Sequence, residues 1–552
     1  MGAIRDLFAS SDEDDPKEEG SLAGFFSLFT EPPDPNDPNR PQEVEPIEPS
    51  SFRVFEEDRL FWALHDLPLS TASHHFAVCG AIGSGKTTII ELFLQSIAQR
   101  FRAGRTPPEQ LIVFDAKGDM IQTLAGFGFK PDDENVYILN PFDNRAASWA
   151  IAEEITDASM ARHIAALLVP EEKASSAPYF WTAARQLLLA TILGLKVTLN
   201  EHWTLRDLLC ATDSLERIKA VTGRDQLAAR LAAPILKDQR HAFGVLSTLS
   251  NKLGIYSEVA ALWHTSRNRK KFSVPQFLSR SGILVLPFDP VLKESLWPIN
   301  AILLRSLASH ILRLPETKVP RHWCVFDEFS LMGQMDSIRD LLNLGRSKGV
   351  SVTLGFQTIE LLSVIYPEKA ADAIISQCST KTVLRAGGEI TASWASKHFN
   401  NIREYEDVVT DSWGPGGSSR SIQYKLTERS IFTPAYFLNL SSPGPGQPFQ
   451  GVSDIPSLRV SLVHDRPFDD LLAWRELKPK AKISGFEPRE DSTDQSLKPW
   501  TKEEELAFCG QNFDEERKDA KSESTKDGPP AGSTKPNVTR KDRFPDKKKP
   551  EP

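Results

Sequence analysis

The stretch Gly80-Ala81-Ile82-Gly83-Ser84-Gly85-Lys86-Thr87-Thr88 has the residue types and spacing that point most directly to chemistry. Glycines at 80, 83 and 85 let the backbone turn tightly and aim successive N–H groups at one anionic centre. Lys86 and Thr87 follow at the spacing of a phosphate-binding loop. The lysine would reach the β- and γ-phosphates of a nucleoside triphosphate, and the threonine hydroxyl would hold Mg²⁺. The flanks supply the context such a loop needs. Phe76-Ala77-Val78-Cys79 is an apolar run short enough for a buried strand, and Ile89 to Ile97 repeats its apolar residues at helical spacing. The helix start adds partial positive charge where the phosphates would lie. These residues predict binding of ATP together with Mg²⁺.

A triphosphate site that hydrolyses its ligand also needs acids. Trp323-Cys324-Val325-Phe326-Asp327-Glu328 is an apolar run ending in two of them, the Walker B pattern. Asp327 is expected to hold Mg²⁺ through water and Glu328 to polarise the attacking water. The competing reading is an acidic strand end that caps a helix. Val350 to Phe356 is a further apolar strand, ending in Gln357, which is either a sensor of the γ-phosphate or a satisfied strand-terminal amide. A helix from Met335 to Gly345 ends in Arg346, which on position alone reads as a helix C-terminal cation.

The elements that must position these residues alternate strand and helix. Leu111 to Phe114 closes in Asp115-Ala116-Lys117-Gly118-Asp119, and Val136 to Leu139 closes in Asn140-Pro141-Phe142-Asp143. Such alternation indicates an α/β fold whose mainly parallel sheet is flanked by helices, with ligand chemistry at the carboxyl ends of the strands. Strand signals vanish between about 152 and 272, where helical periodicity dominates, so an all-α domain of five or six helices is expected to interrupt the sheet, with Trp181 and its aromatic neighbours in its core. The organisation expected is therefore residues 1–50 as an acidic, proline-rich disordered arm, 51–151 and 273–478 as the two parts of the nucleotide-binding domain, 152–272 as the all-α domain, and 479–552 as a disordered charged tail. Residues 411–420, rich in glycine and serine, read as a mobile loop. A helix is expected over roughly Pro298–Leu314.

Composition narrows the class. Thirteen acids and three bases in the first fifty residues account for the whole net charge of −9, leaving the rest close to neutral. A neutral body can still carry a local basic path to nucleic acid, and Arg267-Asn268-Arg269-Lys270-Lys271 is either such a patch or a solvated linker. Five scattered cysteines show no metal-ligand spacing and fit a reducing compartment. The densest apolar run, Leu187–Leu195, is about half of a bilayer span, so no spanning segment is expected. The island Phe25–Phe29 in the acidic arm is either incidental or a docking peptide.

Taken together, these residues resemble the type IV coupling proteins of conjugation and type IV secretion, the TraG/TraD-like ATPases. The resemblance rests on His75, Gly80–Thr88, Phe114–Asp119, Asn140–Asp143, Phe180-Trp181, Phe326-Asp327-Glu328-Phe329, Gly345–Val350, Gln357 and Thr380–Arg385, and covers about residues 70–460. It implies a RecA-like nucleotide-binding domain assembled as a hexameric ring. It also implies a DNA-stimulated ATPase that moves sequence-independent, single-stranded or relaxosome-bound DNA, or hands protein substrates to a secretion channel. By the motif match Arg346 resembles an arginine finger entering a neighbour's site, and Gln357 the family's γ-phosphate sensor. The family usually carries two membrane-spanning helices where this chain has its acidic arm. The resemblance therefore implies a cytoplasmic form, peripheral at the inner membrane through a partner. Two alternatives stay open: a protein-recruitment platform whose assembly ATP controls, and a chromosome translocase of the FtsK/HerA type.

Overall fold

The computed structural model describes residues 59–102, 107–170, 178–266, 269–399, 401–414, 417–456, 460–489 and 496–511. The acidic arm with its Phe25–Phe29 island lies outside the described residues, as do residues 512–552.

Nine strands form one sheet: β1 Phe76–Cys79, β2 Gln110–Asp115, β3 Val136–Ile138, β4 Gly282–Pro287, β5 Thr317–Phe326, β6 Lys348–Phe356, β7 Thr380–Val383, β8 Pro448–Ile455 and β9 Val460–Pro467. Their order is β9-β8-β7-β1-β6-β5-β2-β4-β3. The seven strands from β7 to β3 are parallel, and β8 and β9 add an antiparallel edge. The central strands β1 and β2 are buried at every position, because both faces of the sheet are covered. On one face Val78, Val113 and Val325 meet Ile90, Phe93 and Ile97 of the helix Lys86–Arg102. On the other, Cys79, Phe114 and Phe326 meet a core continuous with the helix Lys293–Arg313 and the inserted helices.

The insertion leaves the sheet after β3 and returns before β4 through a short parallel pair, Ser148–Trp149 with Lys271–Phe272. Among the described residues it holds seven α-helices between Ala158 and Thr265, rather than five or six. The carboxylate of Glu154 fastens its base. Fully buried, it accepts hydrogen bonds from Trp149 Nε1 (3.1 Å), Val274 N (2.8 Å) and Ser306 Oγ (3.2 Å), so it joins the neck to the helix beneath.

Several expectations need correction. The helix Pro178–Leu199 is long and apolar enough to cross a membrane, but most of its apolar surface is buried inside the helical domain. Trp181 is only partly buried, with the Lys252 ammonium over its ring. The helix expected from Pro298 begins at Lys293, so the proline sits inside it. Residues 401–414 and 417–430 form a long antiparallel hairpin where a mobile loop was expected; two strands in register satisfy one another's backbone groups.

The first part of the expected disordered tail is ordered on the body. Residues 479–489 run along the sheet domain, where Lys480 bridges Glu91 (3.0 Å) and Asp119 (2.5 Å) and buried Arg489 donates to the carbonyl of Leu262 (2.9 Å). The helix Lys502–Cys509, capped by Thr501 and Glu504, stacks Phe508 on Trp500 (4.5 Å between centroids). Arg217 of the helical domain pairs with buried Glu505 at 2.8 Å. Charge composition hid these contacts because each apolar or ionic anchor stands singly among polar residues.

Three buried histidines make the fold acid-sensitive. His75 Nδ1 accepts from Val352 N and Nε2 donates to the Leu342 carbonyl, both at 3.1 Å, so the ring is fixed as a neutral tautomer. Burial lowers its pKa from 6.5 to about 4, and lowers those of His322 and His464 to about 3. The unfolded chain takes up these protons near 6.5 while the folded one does not, so stability is lost as pH falls below 6.5. The loss is about 1.4 kcal/mol per group for each unit. Asp115, whose carboxyl burial pushes up to about 6, has the opposite sign, as do Glu91 and Glu154, whose pKa values burial also raises, and these three offset part of the histidine effect. The expected result is a urea midpoint that declines between pH 7 and pH 5; a flat or rising profile contradicts it.

Candidate nucleotide site

Four adjacent parallel strands, β1, β6, β5 and β2, end within about two residues of one another. Cys79 is level with Phe356, and Phe326 with both Leu354 and Phe114. The residues that follow these strand ends therefore form one row: the glycine loop, Gln357, Asp327 with Glu328, and the 115–119 turn. Close approach of the strands is required. A Cβ on Gly355 would lie 2.2 Å from the Asp327 carbonyl oxygen, so glycine lets β6 pass the acidic strand end.

The start of the loop is held by backbone bonds to the two neighbouring strand ends, Gly80 N to Phe356 O (3.3 Å) and Ala81 N to Arg385 O (2.8 Å). Gly83 and Gly85 have φ of 73° and 97°, the left-handed region where a side chain is strained. A Cβ on Gly85 would also meet Phe449 at 2.7 Å. Lys86 is buried and donates to the carbonyls of Gly80 (2.6 Å) and Ala81 (3.2 Å), folding back over the loop. Burial lowers its pKa, with Glu328 the main opposing influence, so an acid from the distant Walker B segment lies within electrostatic reach of the loop lysine. Ser84 Oγ is buried with no hydrogen-bond partner. Ile82 is highly exposed at the loop tip, and Thr88 lies in the first turn of the helix.

Glu328 is buried and accepts from Ser330 Oγ at 2.6 Å and from Gln357 Nε2 at 3.1 Å. Gln357, directly after the end of β6, is satisfied by this bond, and the group that satisfies it is the Glu328 carboxylate. Asp327, 1 % exposed in its side chain, pairs with Lys117 Nζ at 2.7 Å, and the same Nζ donates to Thr87 Oγ1 at 2.6 Å. The second oxygen, Asp327 Oδ1, is buried without a partner. A threonine hydroxyl facing a buried carboxylate with a free oxygen fits the donor set of a hard divalent cation, with Thr87 and Asp327 as the residues that would hold it.

Lys117 is the residue at this site to which the motif reading gave no role. It sits in the Asp-Ala-Lys-Gly-Asp turn after β2, fastened by Asp115, whose carboxylate accepts from the N–H groups of Lys117, Gly118, Asp119 and Met120. The available signal was a cation two residues after a strand-end aspartate. Arg346 is not part of the row. It lies exposed in the short 3-10 turn Gly345–Ser347 before β6, with its guanidinium 3.5 Å from His74 Nε2. In the basic run, Lys270 is spent on the carbonyls of Asp133 and Val136, and Arg269 on that of Asn144, so these two do not form an open phosphate patch.

The model of the type IV secretion-system coupling protein DNA-binding domain matches residues 62–462. Coupling protein TraD of Escherichia coli K12 is 22 % identical over 370 residues, 64 % of this chain and 48 % of TraD, so the chain spans about half the length of that relative. Bacterial conjugative coupling protein TrwB lacking its first 70 residues superposes with a TM-score of 0.58 at 19 % identity, covering 78 % of this chain and 91 % of TrwB. The plasmid coupling protein TrwB solved in complex with ADP and Mg²⁺ gives 0.59 at 20 % identity, over 78 % and 92 %. At these identities the likeness establishes the fold, the RecA-like P-loop architecture. With the family model matched over most of its length, this chain belongs to the type IV secretion-system coupling protein family.

Proposed function

We propose that this chain is an ATP-driven motor that moves DNA, or nucleoprotein, toward a type IV secretion or conjugation channel, working as a hexameric ring. One observation carries the reading. Thr87 of the glycine loop and Asp327, from far downstream beyond the helical domain, share a single ammonium, so loop and acids form one site. Family membership and the ADP–Mg²⁺ complex of TrwB support the nucleotide assignment.

In this reading Lys86 leaves the loop carbonyls for the β- and γ-phosphates, and the backbone N–H groups of Gly83 to Thr87 cradle them. Mg²⁺, when bound by Thr87 and Asp327, supplies charge neutralisation of the polyphosphate. Glu328, aimed by Gln357 and Ser330, takes up the proton of the attacking water. Arg346 completes the site of the neighbouring subunit. Grip on DNA is through phosphates and is sequence-independent. The ring is proposed to act at the cytoplasmic face of the inner membrane, with relaxosome and channel proteins as partners.

The test is ATP hydrolysis by the full chain with and without single-stranded DNA. Turnover should rise with DNA of any sequence, and the stimulation should fall with salt, with a log–log slope of about −0.7 per phosphate contacted. No hydrolysis at any DNA or protein concentration would overturn the reading.

A further inference from the structure

We propose that Lys117 is a resident stand-in for the divalent cation, holding Asp327 and Thr87 in register while the site lacks metal and nucleotide, and withdrawing when they arrive. The inference rests on the nucleotide reading above. Its ground is that the Lys117 ammonium already bridges, at 2.7 and 2.6 Å, the carboxylate and the hydroxyl that the motif reserves for Mg²⁺. Two cations cannot occupy one such position, so ammonium and metal compete for the same two oxygens.

The surroundings are built for this exchange. Four N–H groups on the Asp115 carboxylate pin the backbone beneath Lys117, so the turn cannot carry the ammonium away. The side chain, 43 % exposed, can swing outward through its own rotatable bonds. Asp327 cannot move with it, being almost fully buried beside β6. A buried carboxylate left without any cation is costly, so the lysine preserves the site in the nucleotide-free protein. The consequence is gating: Mg²⁺ must displace a tethered competitor, so metal alone binds poorly and metal with nucleotide binds together. Apparent affinity is the intrinsic affinity multiplied by the fraction of time the site is free.

The experiment compares wild type, Lys117→Met and Lys117→Gln as full chains, using a fluorescent non-hydrolysable ATP analogue. Both substitutions should lower the thermal midpoint without metal and nucleotide, and bring it level with wild type at saturating Mg²⁺ and analogue. Both should also lower the Mg²⁺ concentration for half-maximal analogue binding by roughly five- to tenfold, the shift expected if the ammonium fills the site about 80–90 % of the time. Lys480→Met removes a nearby cation that touches Asp119 and Glu91, and should leave the Mg²⁺ curve in place. An unshifted curve for the Lys117 variants, or one needing more Mg²⁺, overturns the proposal. So does an unchanged midpoint without metal and nucleotide. Wild type that binds no analogue at any Mg²⁺ concentration fails the nucleotide reading itself, whereas wild-type binding with an unshifted Lys117 curve fails only the stand-in.

Discussion

Arg346→Ala is expected to lower ATP turnover by about 10³–10⁵-fold while leaving nucleotide binding close to wild type, the behaviour of a cation that meets charge developing in phosphoryl transfer. If Arg346 acts on phosphoryl transfer, it must do so in trans, because it is out of reach of its own subunit's site. Arg346 precedes the amino end of β6, whereas Gln357 follows its carboxyl end. Nine residues at about 3.3 Å each separate them by roughly 25–30 Å along the strand, too far for an arginine side chain to span. Within one subunit Arg346 lies at the opposite end of the strands from Lys86, and it meets His74, whose pKa burial and then the Arg346 charge hold below the ordinary value. In a head-to-tail ring one subunit's amino strand ends would meet the next subunit's carboxyl strand ends. Lys86→Ala, which strips the phosphate-binding ammonium, should be inactive as well. Mixing the two dead variants restores interfaces in which one subunit supplies Lys86 and its neighbour Arg346, about a quarter of all interfaces in random rings. Recovered turnover in the mixture is the expected result. Mixtures as inactive as their parents would reduce Arg346 to a local partner of His74.

The parts of this architecture that were legible in the sequence are those where a local pattern and its chemistry coincide. The glycine loop was visible because φ near 73° and 97° at Gly83 and Gly85 admits few other residues. The acids were visible because a four-residue apolar run ending in two carboxylates has few structural explanations. The helical insertion was visible because period 3.6 replaces buried strands over more than a hundred residues. What escaped notice depends on distant pairs. Lys117 acquires its role only when β2 and β5 lie side by side with Phe114 level with Phe326. Order in residues 479–489 and 496–511 depends on single anchors, Arg489 in the loop after Asn140 and Trp500 on Asp207, each more than 200 residues away in sequence. The 401–430 hairpin was obscured by the glycine- and serine-rich stretch 411–420, although Ile422, Tyr424 and Leu426 alternate in its second strand, and its pairing is carried by the backbone in register.

Glu328→Gln separates binding from chemistry, and the site shows why the substitution is clean. Glutamine matches glutamate in shape, and both neighbours can adapt. Gln357 Nε2 can go on donating to an oxygen at position 328, and the Ser330 hydroxyl can reverse to accept from the new amide. No unpaired buried group is created, so fold and nucleotide affinity should stay within a few-fold of wild type. What is lost is the ability to take a proton from water, and hydrolysis should fall by about 10²–10⁴-fold. The variant should therefore accumulate in the ATP-bound state and hold whatever assembly ATP promotes. Equilibrium binding of ATP, single-turnover hydrolysis and native mass on the same preparation distinguish the possibilities. Undiminished hydrolysis would move the base elsewhere. Lost binding would mean that the Glu328 charge positions the nucleotide rather than the water. Gln357→Ala serves as the companion: it leaves the carboxylate in place but unaimed, so its defect should be smaller than that of Glu328→Gln and should affect kcat more than KM.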